Sequence, residues 1–301
     1  MKLNELFGAM ENKDLAIKTK KTYRNFFGQF SDFTSLKLGV MPYDLDHECL
    51  QEVHLIHFKK HLEDKQARPA TIALAINALK FLIRIGKDDF DLDLGVHKIR
   101  IPKDKKPTFK GQTAEDREKI YRLLETEHPK DAMILALMIL CGMRVQEVRT
   151  LKMAQVQETF LENVIGKGER LRDLPLPLRF NNVLIRFMDW RKDYPMGPEY
   201  PFIISLRGSV EGDPQSFEYN EKTIYDRVKI ALTKANCATT NPHSLRHAYG
   251  YGIIEKLGAL EANPTRALTI AQRLLGHDDI RTTLIYTQSP LKEVKKLIEE
   301  L

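Results

Sequence analysis

The amino-acid sequence predicts a mainly α-helical protein with one small antiparallel β-sheet. Apolar residues recur at steps of three and four over most of the chain, which is the spacing of one face of a helix. Between Met153 and Leu178 the step changes to two, the spacing of one face of a β-strand. The chain has 301 residues, more than one hydrophobic core usually holds, so two domains are expected.

The first 100 residues predict a helical domain. Helical spacing covers residues 19–33, 49–62 and 69–85. The first of these helices carries aromatic residues on one side and basic residues near its start: Tyr23, Phe26, Phe27, Phe30 and Phe33, with Lys18, Lys20, Lys21 and Arg24. A cationic helix end is either a solvated surface or a contact for a polyanion, and the charge pattern favours neither.

A domain boundary is predicted at residues 101–107. This segment holds Pro102, Pro107 and four charged residues without apolar periodicity, so it cannot continue a helix. It is expected to be an extended basic linker between a domain of residues 1–100 and a second domain of residues 108–301.

The second domain is expected to be α+β. Thr113 is a predicted N-cap for a helix that reaches residue 124, and a buried helix follows over residues 131–141. Alternating residues on both sides of Gly166-Lys167-Gly168 predict a hairpin with Lys167 near its tip. Further helices are predicted over residues 181–190, 221–235, 245–256, 265–275 and 291–301.

Composition limits the possible partners and the compartment. Lys and Arg exceed Asp and Glu by 47 − 41 = 6, which permits a polyanionic partner without requiring one. Three widely spaced cysteines, Cys49, Cys141 and Cys237, form no Cys-x-x-Cys pair, so neither a disulfide framework nor a zinc site is indicated. The longest apolar run, residues 132–142, is too short to span a bilayer, so we expect a cytoplasmic protein without a membrane partner.

Two arginines have the chemistry of a phosphate site. Arg144 comes just after the apolar run, where an unused charge would be costly. Arg246 lies in His243-Ser244-Leu245-Arg246-His247. A guanidinium binds two phosphate oxygens at once and keeps its charge, although an ordinary ion pair is the alternative for each. Glu147, three residues after Arg144, can hold it in position or form a plain surface pair with it.

The remaining candidates supply a nucleophile and proton transfer. His243 follows the helix breaker Asn241-Pro242 and can accept a hydroxyl proton. The His243–His247 spacing also suits zinc, but no further ligand accompanies it, and Gly-Lys-Gly lacks the spacing of a nucleotide-binding loop. Lys167 is either a polar hairpin tip or a proton donor. Tyr286, nine residues after His277 of Leu275-Gly276-His277, offers a hydroxyl that can attack a phosphodiester.

The order and spacing of these motifs resemble the tyrosine recombinase (phage integrase) family over essentially the whole chain, and most closely its Xer-type members. The resemblance implies a core-binding helical domain, a catalytic domain, and an active site formed by Arg144, Lys167, His243, Arg246, His277 and Tyr286. It also implies that Tyr286 forms a 3′-phosphotyrosyl bond with no metal, ATP or other cofactor. The segment between Arg246 and His277 departs from the family pattern, because residues 258–264 make it longer.

The partners implied by the resemblance are double-stranded DNA core sites and other copies of the chain. A tetramer would assemble on two sites, with the amphipathic tail of residues 291–301 docking on a neighbour, and a second recombinase or an accessory protein can take part. Two alternatives are kept: strand relaxation like that of a type IB topoisomerase, and a catalytically inactive DNA-binding regulator. The presence of all six candidate residues favours an active enzyme over the regulator.

Overall fold

A computed structural model describes residues 1–94, 99, 111–260, 264–277 and 283. Within these ranges only the backbone is described at residues 167, 257–260, 264 and 267. The chain divides into two compact units, Met1–Pro107 and Thr108–Leu301. The predicted linker at residues 101–107, the candidate nucleophile Tyr286 and the predicted tail helix lie outside the described residues.

The described residues of the first unit form four α-helices. They are α1 (Leu3–Glu11), α2 (Ile17–Leu38), α3 (Glu52–Asp64) and α4 (Pro69–Phe90), with short 3-10 turns at Pro42–Asp44 and His47–Leu50. Aromatic side chains form much of its core, with the rings of Phe30 and Phe58 meeting edge to face at 5.3 Å. Helix α1 was not predicted, although its buried residues Leu3, Leu6 and Met10 have helical spacing.

Helix α4 is long and apolar enough to cross a membrane by length and composition. Its apolar residues have another explanation, because Ile76, Leu79 and Leu82 are fully buried and the helix packs on α1, α2 and α3. A core helix of this kind passes the same test of length and composition as a membrane span.

The second unit surrounds one buried helix, α6 (Pro129–Ile139), whose residues 132–139 are all at most 4% exposed. Helices α5 (Ala114–Thr126), α8 (Leu178–Arg191), α9 (Glu221–Lys234) and α10 (His243–Leu260) pack on it. Thr113 caps α5 as expected, since its hydroxyl accepts from the Asp116 backbone N–H at 3.1 Å. The short helix α7 (Val145–Thr150) and helix α11 (Pro264–Leu275) also belong to this unit.

The sheet consists of β1 (Phe160–Ile165) and β2 (Leu171–Pro175), paired antiparallel. Gly166 N–H donates to the Arg170 carbonyl at 2.7 Å, and the 3-10 turn Lys167–Glu169 places the Lys167 backbone at the tip. Leu174 faces inward, but Leu171 is 59% exposed. The predicted alternation placed both leucines on one face, whereas positions three apart lie on opposite faces of a strand. The predicted fold class, mainly α with one small antiparallel sheet, is confirmed.

Candidate active site

Arg144 lies where the buried helix gives way to the next one. Helix α6 ends at Ile139, the chain turns through Gly142 at φ +67°, and Arg144 becomes the N-cap of α7. Its Nη1 donates to Glu147 Oε1 at 2.8 Å, and its backbone N–H donates to Glu147 Oε2 at 2.8 Å. Because Glu147 is only 2% exposed, the alternative of a plain surface pair is wrong.

A second arginine, Arg172 of β2, reaches the same carboxylate. Its Nη1 and Nη2 donate to Glu147 Oε1 and Oε2 at 3.0 and 2.8 Å. Arg172 is not among the site residues predicted from the sequence. A signal was present, because Arg172 lies two residues before the buried Leu174 and so shares the inward face of the strand.

Arg246 completes this group, which we call the glutamate cluster: Glu147 with Arg144, Arg172 and Arg246. Arg246 is 1% exposed, with Nη1 4.0 Å from Glu147 Oε2. Nη1 also donates to the Gly142 carbonyl at 2.5 Å, and Nη2 donates to the Leu275 carbonyl. The guanidinium therefore connects the turn before Arg144 to the end of α11.

His243 starts α10, and its backbone N–H is capped by Asn241 Oδ1 at 3.0 Å. The expectation that His243 and Arg246 both project from an exposed helix end is correct only for His243. Three residues of helix place Arg246 on the side that packs against Gly142 and Leu275, which buries it. His243 and His247 meet edge to face at 4.7 Å, and the described residues contain no group of three or more metal-ligating side chains around them.

His277 lies two residues after the end of α11. Its Nδ1 is 3.0 Å from Thr283 Oγ1, and its carbonyl accepts from Gln272 Nε2 at 3.0 Å. Burial lowers the pKa of His277 most, and together with the charges of Arg246, Arg144, Arg172 and His243 it brings the pKa to about 4. The ring is therefore neutral at neutral pH, so one nitrogen carries a hydrogen and the other is an acceptor.

The structure brings four of the six candidate residues together. Arg144 and Arg246 belong to the glutamate cluster. The charges of these two arginines and of His243 lower the pKa of His277, so the three residues lie within electrostatic reach of His277. Lys167 is described by its backbone at the hairpin tip, and Tyr286 lies outside the described residues. In the segment that is longer than the family pattern, residues 258–260 continue α10.

The cluster has an excess of positive charge. Three guanidiniums and one carboxylate leave 3 − 1 = 2 positive charges. A buried positive excess favours an anion at the accessible edge of the group. Arg144 forms that edge, because its side chain is 26% exposed whereas the side chain of Arg246 is 1% exposed.

Two protein-family models match this chain. The model of the phage integrase family matches residues 112–293, and that of the phage integrase N-terminal SAM-like domain matches residues 3–89. These matches define the chain as a two-part protein of the tyrosine recombinase class. The chain belongs to the phage integrase family.

Individual relatives match most of the chain. The tyrosine recombinase XerA of Pyrococcus furiosus is 27% identical over 288 residues, which cover 95% of this chain and 90% of that protein. A λ integrase dimer bound to a COC′ core site is similar with a TM-score of 0.69 and 17% identity, over 96% of this chain and 77% of that one. The XerH site-specific recombinase bound to a difH substrate is similar with a TM-score of 0.66 and 18% identity, over 93% and 78%. The structural likenesses establish a shared fold.

Proposed function

We propose that this protein is a site-specific DNA recombinase that cuts and rejoins DNA strands through a 3′-phosphotyrosyl intermediate on Tyr286. The observation that carries the proposal is the glutamate cluster, where buried guanidiniums leave Arg144 accessible to an anion. Membership of the phage integrase family supports DNA as that anion. So do the relatives, which are a tyrosine recombinase and two recombinases bound to a core site or a substrate.

Each site residue has a role in this reaction. Tyr286 Oη loses its proton to His243 and attacks the scissile phosphorus, the bond to the 5′ oxygen breaks, and Lys167 gives that oxygen a proton. Arg144 binds the non-bridging oxygens, while Arg246 contributes buried positive charge and holds the turn at Gly142. Neutral His277 donates a hydrogen bond to a phosphate oxygen. The 5′ hydroxyl of another strand then reverses the same steps, so the bond energy is conserved without ATP or a metal.

The two units divide the work in this proposal. The helical unit binds the core site, and the unit from residue 108 onward performs the chemistry. Four copies assemble on two DNA sites in the cytoplasm, with residues 291–301 docking on a neighbour. The reaction serves integration, excision or dimer resolution, alone or with a second recombinase or an accessory protein.

The proposal is tested by trapping a covalent adduct. The full chain is incubated with a pool of duplexes that have random core sequences and a nick close to the cleavage position, so that the short released strand diffuses away. Adducts that survive denaturation are isolated and their DNA is sequenced, which identifies the core site. We expect adducts with the wild-type chain and none with Tyr286→Phe, which lacks only the attacking oxygen.

Tyr249→Phe is the matched control. Burial raises the pKa of Tyr249 to about 12, with Cys141 adding to the rise and Arg172 and Arg246 opposing it, so this phenol stays protonated. It should form adducts at the wild-type rate. A Tyr286→Phe chain that still forms adducts would defeat the assignment. Wild-type chain that forms none would favour an inactive regulator, and relaxation of plasmids without exchange between two duplexes would favour a topoisomerase-like activity.

A further inference from the structure

Arg172 holds both carboxylate oxygens of Glu147. Its two bonds, 3.0 and 2.8 Å long, join Nη1 to Oε1 and Nη2 to Oε2, which is the bidentate geometry that only arginine provides. Arg144 adds one bond to each oxygen, from Nη1 to Oε1 and from its backbone N–H to Oε2. Four donors occupy the acceptor capacity of a carboxylate. The orientation of Glu147 is therefore fixed from two sides.

Two motif glycines leave room for Arg172. A Cβ at Gly166 would stand 3.0 Å from Arg172 Nη1, and a Cβ at Gly276 would stand 2.9 Å from the same atom. Gly166 belongs to the Gly-Lys-Gly hairpin, and Gly276 belongs to Leu-Gly-His. The guanidinium thus lies where the hairpin that carries Lys167, the end of α11 that precedes His277, and the Arg144 turn come together.

Arg172 faces the carboxylate and Arg144 faces outward. The side chain of Arg172 is 10% exposed, and both terminal nitrogens already donate to Glu147. The side chain of Arg144 is 26% exposed, and among the described residues its guanidinium donates only through Nη1. Arg144 therefore has nitrogens available for a phosphate, whereas Arg172 is placed to act on Glu147.

The charge state of Glu147 agrees with this division. Burial raises the pKa of Glu147, but the hydrogen bonds and charge of Arg172, with the Arg144 N–H and the charge of Arg246, outweigh burial and hold the pKa below its ordinary value. Glu147 is thus ionised at neutral pH and can hold two guanidiniums at once.

We propose that Arg172 is a positioning residue for strand transfer, which fixes Glu147 and through it the guanidinium of Arg144 against the scissile phosphate. This rests on the proposed function, since it assigns Arg172 a part in that same reaction. A lysine cannot substitute fully, because a single ammonium cannot bond both carboxylate oxygens in parallel.

The test is a double-mutant cycle between Arg172→Ala and Glu147→Gln. The rate of covalent adduct formation is measured in a single turnover, at saturating protein, on the nicked duplex selected with the wild-type chain. We expect Arg172→Ala to slow cleavage by about 10- to 100-fold, the usual cost of removing a partner behind a functional residue. In the Glu147→Gln background, Arg172→Ala should slow cleavage by less than about threefold, because the carboxylate on which Arg172 acts is already replaced.

Further variants separate positioning from stability. Arg172→Lys should give an intermediate rate, and DNA affinity measured by fluorescence anisotropy should change little in all Arg172 variants. Arg191→Ala is the stability control, because Arg191 is also buried but, within the part of the chain that the structure describes, donates only to the carbonyls of Pro201 and Phe202. It should lower the melting temperature while preserving the cleavage rate below that temperature.

Three outcomes would overturn the inference. Equal losses from Arg172→Ala in both backgrounds would mean that it acts independently of Glu147. An unchanged rate, or a loss matched by Arg191→Ala at equal stability, would leave Arg172 a purely structural residue. Failure of the wild-type chain to form any adduct would reject the proposed function itself, and this inference with it.

Discussion

Tyr249 packs its ring so closely on Gly142 that a Cβ there would lie 2.3 Å from ring carbon Cδ1. Gly142 has φ +67°, a left-handed conformation that costs other residues free energy, and its carbonyl accepts from Arg246 Nη1. This glycine, two residues before Arg144, therefore serves two needs. It turns the chain out of the buried helix, and it lets α10 approach closely enough for Arg246 to reach that carbonyl.

The first prediction concerns Gly142→Ala. The added methyl group must displace the Tyr249 ring, so we expect a loss of about 1–3 kcal/mol in the free energy of unfolding from overpacking, together with slower adduct formation. Gly208→Ala is the matched control, because Gly208 has φ +74° and nothing within 4 Å of the added Cβ. Urea denaturation and single-turnover cleavage are measured on both. Equal effects would show that backbone strain alone accounts for the Gly142 change.

The second prediction separates Arg144 from Arg246. Replacement by Lys keeps the charge, but Arg144→Lys loses the fork that binds the non-bridging oxygens and Arg246→Lys loses the bond that holds the turn before Arg144, so each variant should slow cleavage on the order of a hundredfold. Only Arg246→Lys should also reduce stability by about 2 kcal/mol or more, because its buried guanidinium bonds the Gly142 and Leu275 carbonyls. Adduct rates and melting temperatures are compared. Near-normal cleavage by both variants, or equal melting temperatures, would contradict the assignment.

The third prediction is a pH dependence of stability from His277. Its pKa is about 4 in the folded chain and near 6.5 without the fold, so the unfolded chain binds the proton first on acidification. His277 thus stabilises the fold above pH 6.5, and this stability is lost as the pH falls from about 6.5 to about 4. Glu147, whose pKa is also lowered, adds a loss in the same direction at lower pH.

Urea denaturation at several pH values between 7.5 and 4.5 tests this dependence. The single tryptophan, Trp190 in α8, reports unfolding of the second unit without a signal from the first. His277→Gln should flatten the change in unfolding free energy across this range. If the wild-type and His277→Gln chains lose unfolding free energy in parallel as the pH falls, His277 is not the group responsible for this pH dependence.

Sequence periodicity predicted α9 well, because one face of it is buried by neighbours, and the unbroken apolar run predicted α6, which is buried on all sides. It missed α1, a helix of nine residues that forms only because Leu3, Leu6 and Met10 pack on the rest of the unit. Motif spacing selected Arg144 and Arg246 but could not find Arg172, because its partner Glu147 is 25 residues away and the pairing depends on tertiary packing. The burial of Arg246 likewise depends on tertiary packing, because its guanidinium bonds the carbonyls of Gly142 and Leu275, which are distant in sequence.

The fourth prediction concerns Lys167 as the proton donor to the 5′ oxygen. A substrate with sulfur at the 5′ bridging position has a leaving group that needs no proton, so it should restore cleavage by Lys167→Ala. It should not restore Arg144→Ala, whose defect is in binding the non-bridging oxygens. Cleavage of oxygen and sulfur substrates is compared for both variants. Absence of selective rescue would leave Lys167 as a polar hairpin tip.

The last prediction concerns the tail. Within residues 292–301, apolar side chains recur at three- and four-residue steps and polar ones occupy the other positions: Val294, Leu297, Ile298 and Leu301, against Lys292, Glu293, Lys295, Lys296, Glu299 and Glu300. A helix this short is marginal alone and needs a groove to bury its stripe, either on its own domain or on a neighbour in a closed ring.

If the groove belongs to a neighbour, deleting residues 291–301 should leave folding of the monomer and binding to a single site largely unchanged, and abolish the tetramer and strand exchange. Mass photometry of the chain on paired core sites measures the assembly. Leu297→Asp is a matched point variant, because it disrupts the stripe without shortening the chain, and Glu299→Lys on the polar side is its control. A truncated chain that still forms tetramers, or one that loses thermal stability as a monomer, would assign the stripe to its own domain.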